Sequence, residues 1–128
     1  MPAEILVAED NPLNFELLRD ILTGAGHLVD WARDGEEALT RLRSRPFDLL
    51  LLDLHMPRLD GIQVLRAVRA DPALAALRVV IVSADAMGNV AETVTTEGAD
   101  AYLTKPVDIT ALLNEVERQM AGRQPGGN

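Results

Sequence analysis

Five side chains in this sequence carry groups suited to receiving a phosphoryl group, provided the fold brings them together: Glu9, Asp10, Asp53, Ser83 and Lys105. Each pair of ionised carboxylates about 4 Å apart repels by about 4 kcal/mol at an effective dielectric of about 20, so three of them in one place require positive charge. A divalent hard cation answers that requirement. Mg²⁺ fits best, because it accepts one or two carboxylates, keeps part of its water shell and recruits phosphate oxygens, and Mn²⁺ is a possible substitute. Three carboxylates, one Mg²⁺ and the Lys105 ammonium cancel in formal charge, so an incoming phosphoryl group meets little net repulsion. Phosphoryl transfer to a carboxylate needs an exposed oxygen nucleophile, a metal bridging it to the phosphoryl group, and a cation and a hydroxyl on the remaining oxygens. The sequence offers one candidate for each: Asp53 as nucleophile, Asp10 and more indirectly Glu9 as metal ligands, Lys105 as point charge and Ser83 as hydrogen-bond donor.

The elements that must position these groups are legible as strands and helices in alternation. Leu49-Leu50-Leu51-Leu52, bounded by Asp48 and Asp53, is too short for a typical helix and reads as a strand buried on both faces. It ends at Asp53. Pro57 stops any continuation, and Asp60 with Gln63 forms a capping-box pattern that opens a helix carrying Ile62, Leu65 and Val68. Glu4 to Ala8 is the first strand, and Asn11 before Pro12 caps a helix running to about Thr23, with Gly24 and Gly26 beyond it. Its apolar stripe is Leu13, Leu17 and Ile21, thickened by Leu18 and Leu22, with Phe15 at the margin as core edge or docking residue.

Leu28 to Ala32 forms the second strand, and Asp34 with Glu37 opens a second helix through Arg43 or Ser44. The β-branched run Val79-Val80-Ile81-Val82 lies in a fourth strand ending at Ser83. Met87, Val90 and Val94 space a weak fourth helix, residues 99–104 form a fifth strand closed by Lys105-Pro106, and Asp108 caps a last helix with Ile109, Leu112, Leu113, Val116 and Met120 inward. Trp31 and His27 read as structural residues. Five strands alternating with five helices predict a doubly wound α/β fold, a parallel sheet covered on both faces through right-handed crossovers. The carboxyl ends of its strands then share one rim, and the five polar groups converge there.

Composition narrows the classes. A chain of 128 residues predicts one domain, residues 1–121, followed by a short flexible tail, 122–128. The net charge of −8 disfavours nucleic-acid phosphate or an anionic membrane as a direct partner. Without cysteine there is no disulfide, thiolate nucleophile or cysteine metal site. No apolar run approaches the roughly 18 residues needed to span a bilayer, and no signal peptide precedes the first strand, so the cytoplasm is the expected location.

With these residues in place, the chain resembles a receiver domain of a two-component response regulator. The resemblance covers residues 4 to about 120 and rests on Glu9-Asp10-Asn11, on Asp53 with Met56-Pro57 and Asp60-Gly61, on Ser83-Ala84, on Tyr102 and on Lys105-Pro106. It implies the flavodoxin-like strand order 2-1-3-4-5. It also implies that Asp53 accepts a phosphoryl group from the phosphohistidine of a histidine kinase or histidine phosphotransferase, and that the main-chain carbonyl of His55 completes the metal shell. Ser83, Ala84, Lys105 and Tyr102 would bind the phosphoryl group or relay its arrival, with Ser83 drawn inward and Tyr102 following. That movement would reshape a surface on the fourth helix, fifth strand and fifth helix, where a downstream protein binds. With no output domain after it, the chain is most similar to stand-alone receivers, the DivK type among them, in two-component or phosphorelay signalling. As such it would not be an enzyme beyond promoting its own phosphorylation and dephosphorylation.

Two departures and three rivals accompany the resemblance. Glu9-Asp10 stands where two aspartates are more usual and serine at 83 where threonine is, while His55 and Asp85 occupy positions that tune phosphate loss. An aspartate-nucleophile phosphatase would carry a second aspartate two residues after the nucleophile, where this chain has His55. A degenerate receiver that binds constitutively is disfavoured by retention of all five groups. A flavin-binding protein of like topology is disfavoured by the acidic loop after the first strand, which would repel a flavin phosphate.

Overall fold

Four leucines set the architecture of the chain. Leu49 to Leu52 form β3 and none is more than 1% exposed. Successive side chains of a strand point to opposite faces, so Leu50 and Leu52 enter one apolar cluster while Leu49 and Leu51 enter the other. Helices must then cover both faces. The computed structural model describes residues 2–84 and 89–122. In it β1 (Glu4–Ala8), β2 (Leu28–Ala32), β3 (Leu49–Leu52), β4 (Arg78–Ser83) and β5 (Ala101–Thr104) form one parallel sheet of order β2-β1-β3-β4-β5. They alternate with α1 (Pro12–Gly24), α2 (Gly35–Ser44), α3 (Gly61–Ala70), α4 (Val90–Thr96) and α5 (Ile109–Ala121).

The two clusters say which helix covers which face. Leu39 and Leu42 of α2, Val64, Leu65 and Val68 of α3 and Val94 of α4 pack with Leu50 and Leu52. Phe15, Leu18 and Leu22 of α1 and Leu112 and Val116 of α5 pack with Leu49 and Leu51. This is the expected doubly wound fold, and it carries every βα loop to the rim at the strands' carboxyl ends.

Helix α1 buries only part of the expected stripe, Leu18 and Leu22 with Ile21 half-buried, and adds Phe15 to it. Phe15, Leu18 and Leu22 are inside, whereas Leu13 is 75% and Leu17 51% exposed. The reason is a partner far away in sequence: the Phe15 ring stacks on Trp31 of β2, centroids 4.5 Å apart and planes 5° from parallel. Burying a large aromatic pair outweighs two leucines, and it rotates the helix.

Helix α5 shows a second departure, with Ile109 55% exposed while Glu115 and Gln119 are buried. Gln119 donates its amide to the Glu115 carboxylate at 2.7 Å, one helical turn away, so each satisfies the other. Strand β5 starts at Ala101 rather than residue 99, because the Asp100 carboxylate takes the Val79 amide and the guanidinium groups of Arg69 and Arg78. In α3, Val64 joins Leu65 and Val68 in the core and Ile62 is half-buried.

The caps were well marked. Asn11 accepts amides from Leu13 and Asn14, and Asp60 with Gln63 makes the complete capping box. At α2 the box is displaced: Asp34 accepts from the Glu37 amide, but Glu37 reaches the amide of Arg33 instead of Asp34. Short α4 has no side-chain capping bond at Asn89 and buries only Val94. Met87, expected at its start, lies outside the described residues, as does the tail beyond Gly122. Among the described residues no helix is long and apolar enough to cross a membrane.

Candidate functional site

Register fixes the site before any side chain is considered. Leu52 pairs with Ala8 on one side and Ile81 on the other, and Ser83 pairs with Thr104. The next residue along each of β1, β3 and β5 is therefore Glu9, Asp53 and Lys105, all at the same edge of the sheet. The Asp53 amide still donates to Ala8 O at 3.1 Å and the Glu9 amide to Ala32 O at 3.0 Å, so both backbones leave the sheet from fixed positions.

The side chains meet there. Lys105 Nζ donates to Glu9 Oε1 at 2.6 Å and to Asp53 Oδ2 at 3.0 Å. Asp53 Oδ1 accepts the His55 amide at 3.1 Å, and Glu9 Oε2 accepts the Asn11 amide at 3.1 Å. Glu9, Asp10 and Asp53 each bring a carboxylate oxygen within 4.8 Å of the others; Glu9 and Asp53 are buried and Asp10 is exposed. Three carboxylates against one ammonium leave two formal negative charges uncompensated. An all-oxygen donor set with that surplus suits a hard divalent ion better than a transition metal seeking nitrogen or sulfur.

Burial and pairing act on the same groups from opposite directions. Desolvation pushes the Glu9 carboxyl above its usual value of 4.5, against the lowering effect of the bonds from Lys105 and Asn11. For Lys105 burial pulls downward, but the bonds to Glu9 and Asp53 prevail and its pKa rises above 10.5. Lys105 thus contributes stability that is fully present below pH 10.5 and lost as pH climbs through its raised value.

For Glu9 the folded state holds its proton more tightly than the unfolded chain does. Its contribution is then most favourable below pH 4.5 and diminishes as pH rises through the raised pKa. Relative to wild type, Glu9→Gln should therefore gain stability over that interval, measured as urea-unfolding free energies at a series of pH values. A wild-type-minus-variant difference independent of pH would contradict this assignment.

The remaining expected residues sit around this centre in different ways. Ser83 is fully buried at the end of β4, and its carbonyl accepts the Lys105 amide at 2.9 Å. Ala84 follows it and is exposed. Tyr102 lies opposite Ile81 in β5, half-buried against the cluster on the α2–α4 face. The His55 side chain is exposed on the loop after Asp53. Asp85 lies outside the described residues.

Two residues support the site in a way the sequence had not assigned: Trp31 had read only as structural, and Gly61 stood only in the Asp60-Gly61 motif of the resemblance. The indole nitrogen of Trp31 donates to Glu9 O at 2.7 Å. Gly61, at the start of α3, packs its α-carbon against the backbone that carries the central acid: an added Cβ would stand 2.5 Å from Asp53 O and 2.7 Å from Leu54 Cα. A tryptophan on the neighbouring strand that reaches back to a loop 22 residues earlier has no local sequence signature. The glycine after Asp60 did have one, in its place directly behind the cap.

Known proteins share this sequence pattern and fold. The sequence model of the response regulator receiver domain matches residues 5–117. The polar-differentiation response regulator DivK of Brucella anthropi is 32% identical over 117 residues, covering 91% of this chain and 95% of that protein. The chemotaxis response regulator CheY4 of Vibrio cholerae superposes with a TM-score of 0.86 at 25% identity, covering 93% of this chain and 99% of that one. The receiver domain of the sensor histidine kinase PA1611 from Pseudomonas aeruginosa PAO1, solved with a magnesium ion coordinated in its active-site cleft, gives a TM-score of 0.88 at 28% identity over 95% and 100% of the two chains. Sequence match, strand order and the acidic rim agree, and the chain belongs to the response regulator receiver domains of two-component signalling.

Proposed function

We propose that Asp53 is the phosphoacceptor of this receiver, and that the chain signals by protein contacts that change when Asp53 is modified. The observation that carries this reading is the Lys105 ammonium held between Glu9 and Asp53, at 2.6 and 3.0 Å, with the Asp10 carboxylate beside them. A carboxylate oxygen of Asp53 attacks phosphorus as the bond from phosphorus to the donor histidine nitrogen breaks, and that nitrogen keeps the electron pair and takes up a proton. Lys105 stabilises charge on the phosphoryl oxygens, and the Ser83 hydroxyl donates to one of them with Ala84 alongside.

Asp10 and Asp53, with the main-chain carbonyl of His55, would hold Mg²⁺ directly. Glu9, one methylene longer than an aspartate at the same position, would contact the ion through water. When bound, Mg²⁺ neutralises phosphoryl and carboxylate charge together; Mn²⁺ would serve the same donors. The exposed imidazole of His55, and Asp85, would set how readily water reaches the acyl phosphate. The chain thereby promotes its own phosphorylation and dephosphorylation and turns over no other substrate.

The donor is a histidine kinase or histidine phosphotransferase. Exposed Leu13 and Leu17 give the rim an apolar shoulder for such a protein, beside a notch of about 70 Å³ lined by Leu17, Lys105 and Pro106. Downstream, Ser83 and Tyr102 would pass the change to α4, β5 and α5, where a target protein binds. The cytoplasm, where such kinases keep their phosphohistidines, is the corresponding location. Incubation with acetyl phosphate and Mg²⁺ should add one phosphoryl mass to the wild type and none once EDTA is present. Uptake of the same mass by Asp53→Asn would refute the assignment.

A further inference from the structure

Trp31 is the only tryptophan of the chain, and its contacts converge on the acidic loop. Its Nε1 donates to the Glu9 carbonyl at 2.7 Å, the short end of the N–H···O range. The indole is held in turn. Phe15 of α1 stacks on it at 4.5 Å, and the Arg33 guanidinium carbon lies 4.8 Å from its ring centre.

The Glu9 residue is consequently fixed at every polar group. Its amide donates to Ala32 O, its carbonyl accepts from Trp31, and its carboxylate accepts from Lys105 and from the Asn11 amide. The Glu9 carbonyl belongs to the peptide unit that joins Glu9 to Asp10. Because that unit is planar, the direction of its carbonyl fixes where the Asp10 α-carbon lies and so where the Asp10 carboxylate departs. Asp10 itself is exposed, so its carboxylate depends on its backbone for position.

We infer that Trp31 is a positioning residue for the cation site: its indole N–H orients the 9–10 peptide so that Asp10 stands beside Asp53, ready for Mg²⁺. Partners one step behind the ligands commonly control metal affinity in this way. The inference rests on the proposed Mg²⁺ reading, and the test separates the two. A purely structural Trp31 would matter through packing alone. Trp31→Phe keeps a ring that can stack on Phe15 and removes the donor, while Phe15→Leu keeps the donor and weakens the stack.

The measurement is isothermal calorimetry of Mg²⁺ binding to the full chain, beside the thermal unfolding midpoint of each variant. Trp31→Phe is expected to bind Mg²⁺ roughly 5-fold more weakly, the effect of one net hydrogen bond. Phe15→Leu is expected to unfold at lower temperature yet bind Mg²⁺ within about twofold of wild type. Affinity equal to wild type in Trp31→Phe, or an equal loss in Phe15→Leu, would overturn the positioning role while leaving the metal reading intact. Absence of Mg²⁺ binding to the wild type would remove both.

Discussion

Lys105→Met should slow phosphorylation by acetyl phosphate about a hundredfold, the usual scale for deleting one charged donor aimed at developing negative charge. The same substitution should destabilise the fold at neutral pH. Glu9 and Asp53 are 2% and 8% exposed in their side chains and share this one cation, so its removal leaves two buried carboxylates facing each other. Breaking a fully buried pair costs about 3–5 kcal/mol, and about 2–3 is expected here because the Lys105 side chain keeps 18% exposure. Two rescues follow from the charge argument. Acid should narrow the deficit, because Glu9, already above its usual 4.5, is pushed further up and protonates first. Added Mg²⁺ should narrow it as well, because the variant, lacking the Lys105 charge beside Glu9 and Asp53, binds the cation more tightly than the wild type and is stabilised more by mass action. A variant that phosphorylates at the wild-type rate, or whose stability loss ignores both pH and Mg²⁺, would show that Lys105 is a spectator.

Gly61→Ala should cost about 2–3 kcal/mol although it adds one methyl group. The new Cβ would lie 2.5 Å from Asp53 O, 2.7 Å from Leu54 Cα and 3.1 Å from Asp53 C, and all three are backbone atoms that cannot rotate aside. Either α3 retreats, straining the Gly61 amide bond to Leu54 O at 2.9 Å, or β3 shifts and carries Asp53 with it. Both routes disturb the acid, so phosphoryl uptake should fall along with stability. Gly24→Ala is the matched control. It occupies the last turn of α1 with nothing within 4 Å of its added Cβ, and it should be neutral or stabilising by up to about 1 kcal/mol. Urea titration of both variants checks the contrast; equal effects would mean that contact with the Asp53 backbone is not what Gly61 provides.

The features readable from sequence were those in which local chemistry and global fold coincide. The leucine run could bury both faces only inside a parallel sheet, and the polar residues ending each strand then had to share a rim. Asp60 with Gln63 announced its helix because both halves of the capping box lie within four residues of each other. Most of what escaped depended on partners distant along the chain, the neighbouring pair Glu115 and Gln119 excepted. Leu13 and Leu17 have the spacing of a core stripe, and only the stacking of Phe15 on Trp31, 16 positions away, turns them outward. Glu115 and Gln119 are both polar, yet bonded to each other they enter the interior. Asp100 holds back the start of β5 by binding two arginines, one from α3 and one from β4, which no reading of its neighbours in sequence would suggest. The candidate site followed the same division: its acids, hydroxyl and ammonium were legible from residue type, whereas the contacts by which Trp31 and Gly61 hold the backbone behind them were not.

If Asp53 is the phosphoacceptor, phosphorus becomes bonded to one of its carboxylate oxygens. An acyl phosphate of aspartate is reduced by borohydride to homoserine, which leaves a permanent mark at the modified position. Treatment of the protein with acetyl phosphate and Mg²⁺, then borohydride, then peptide sequencing by mass spectrometry, should place homoserine at position 53 alone. Homoserine at position 10, or phosphate retained on a serine or histidine with position 53 unchanged, would contradict the account.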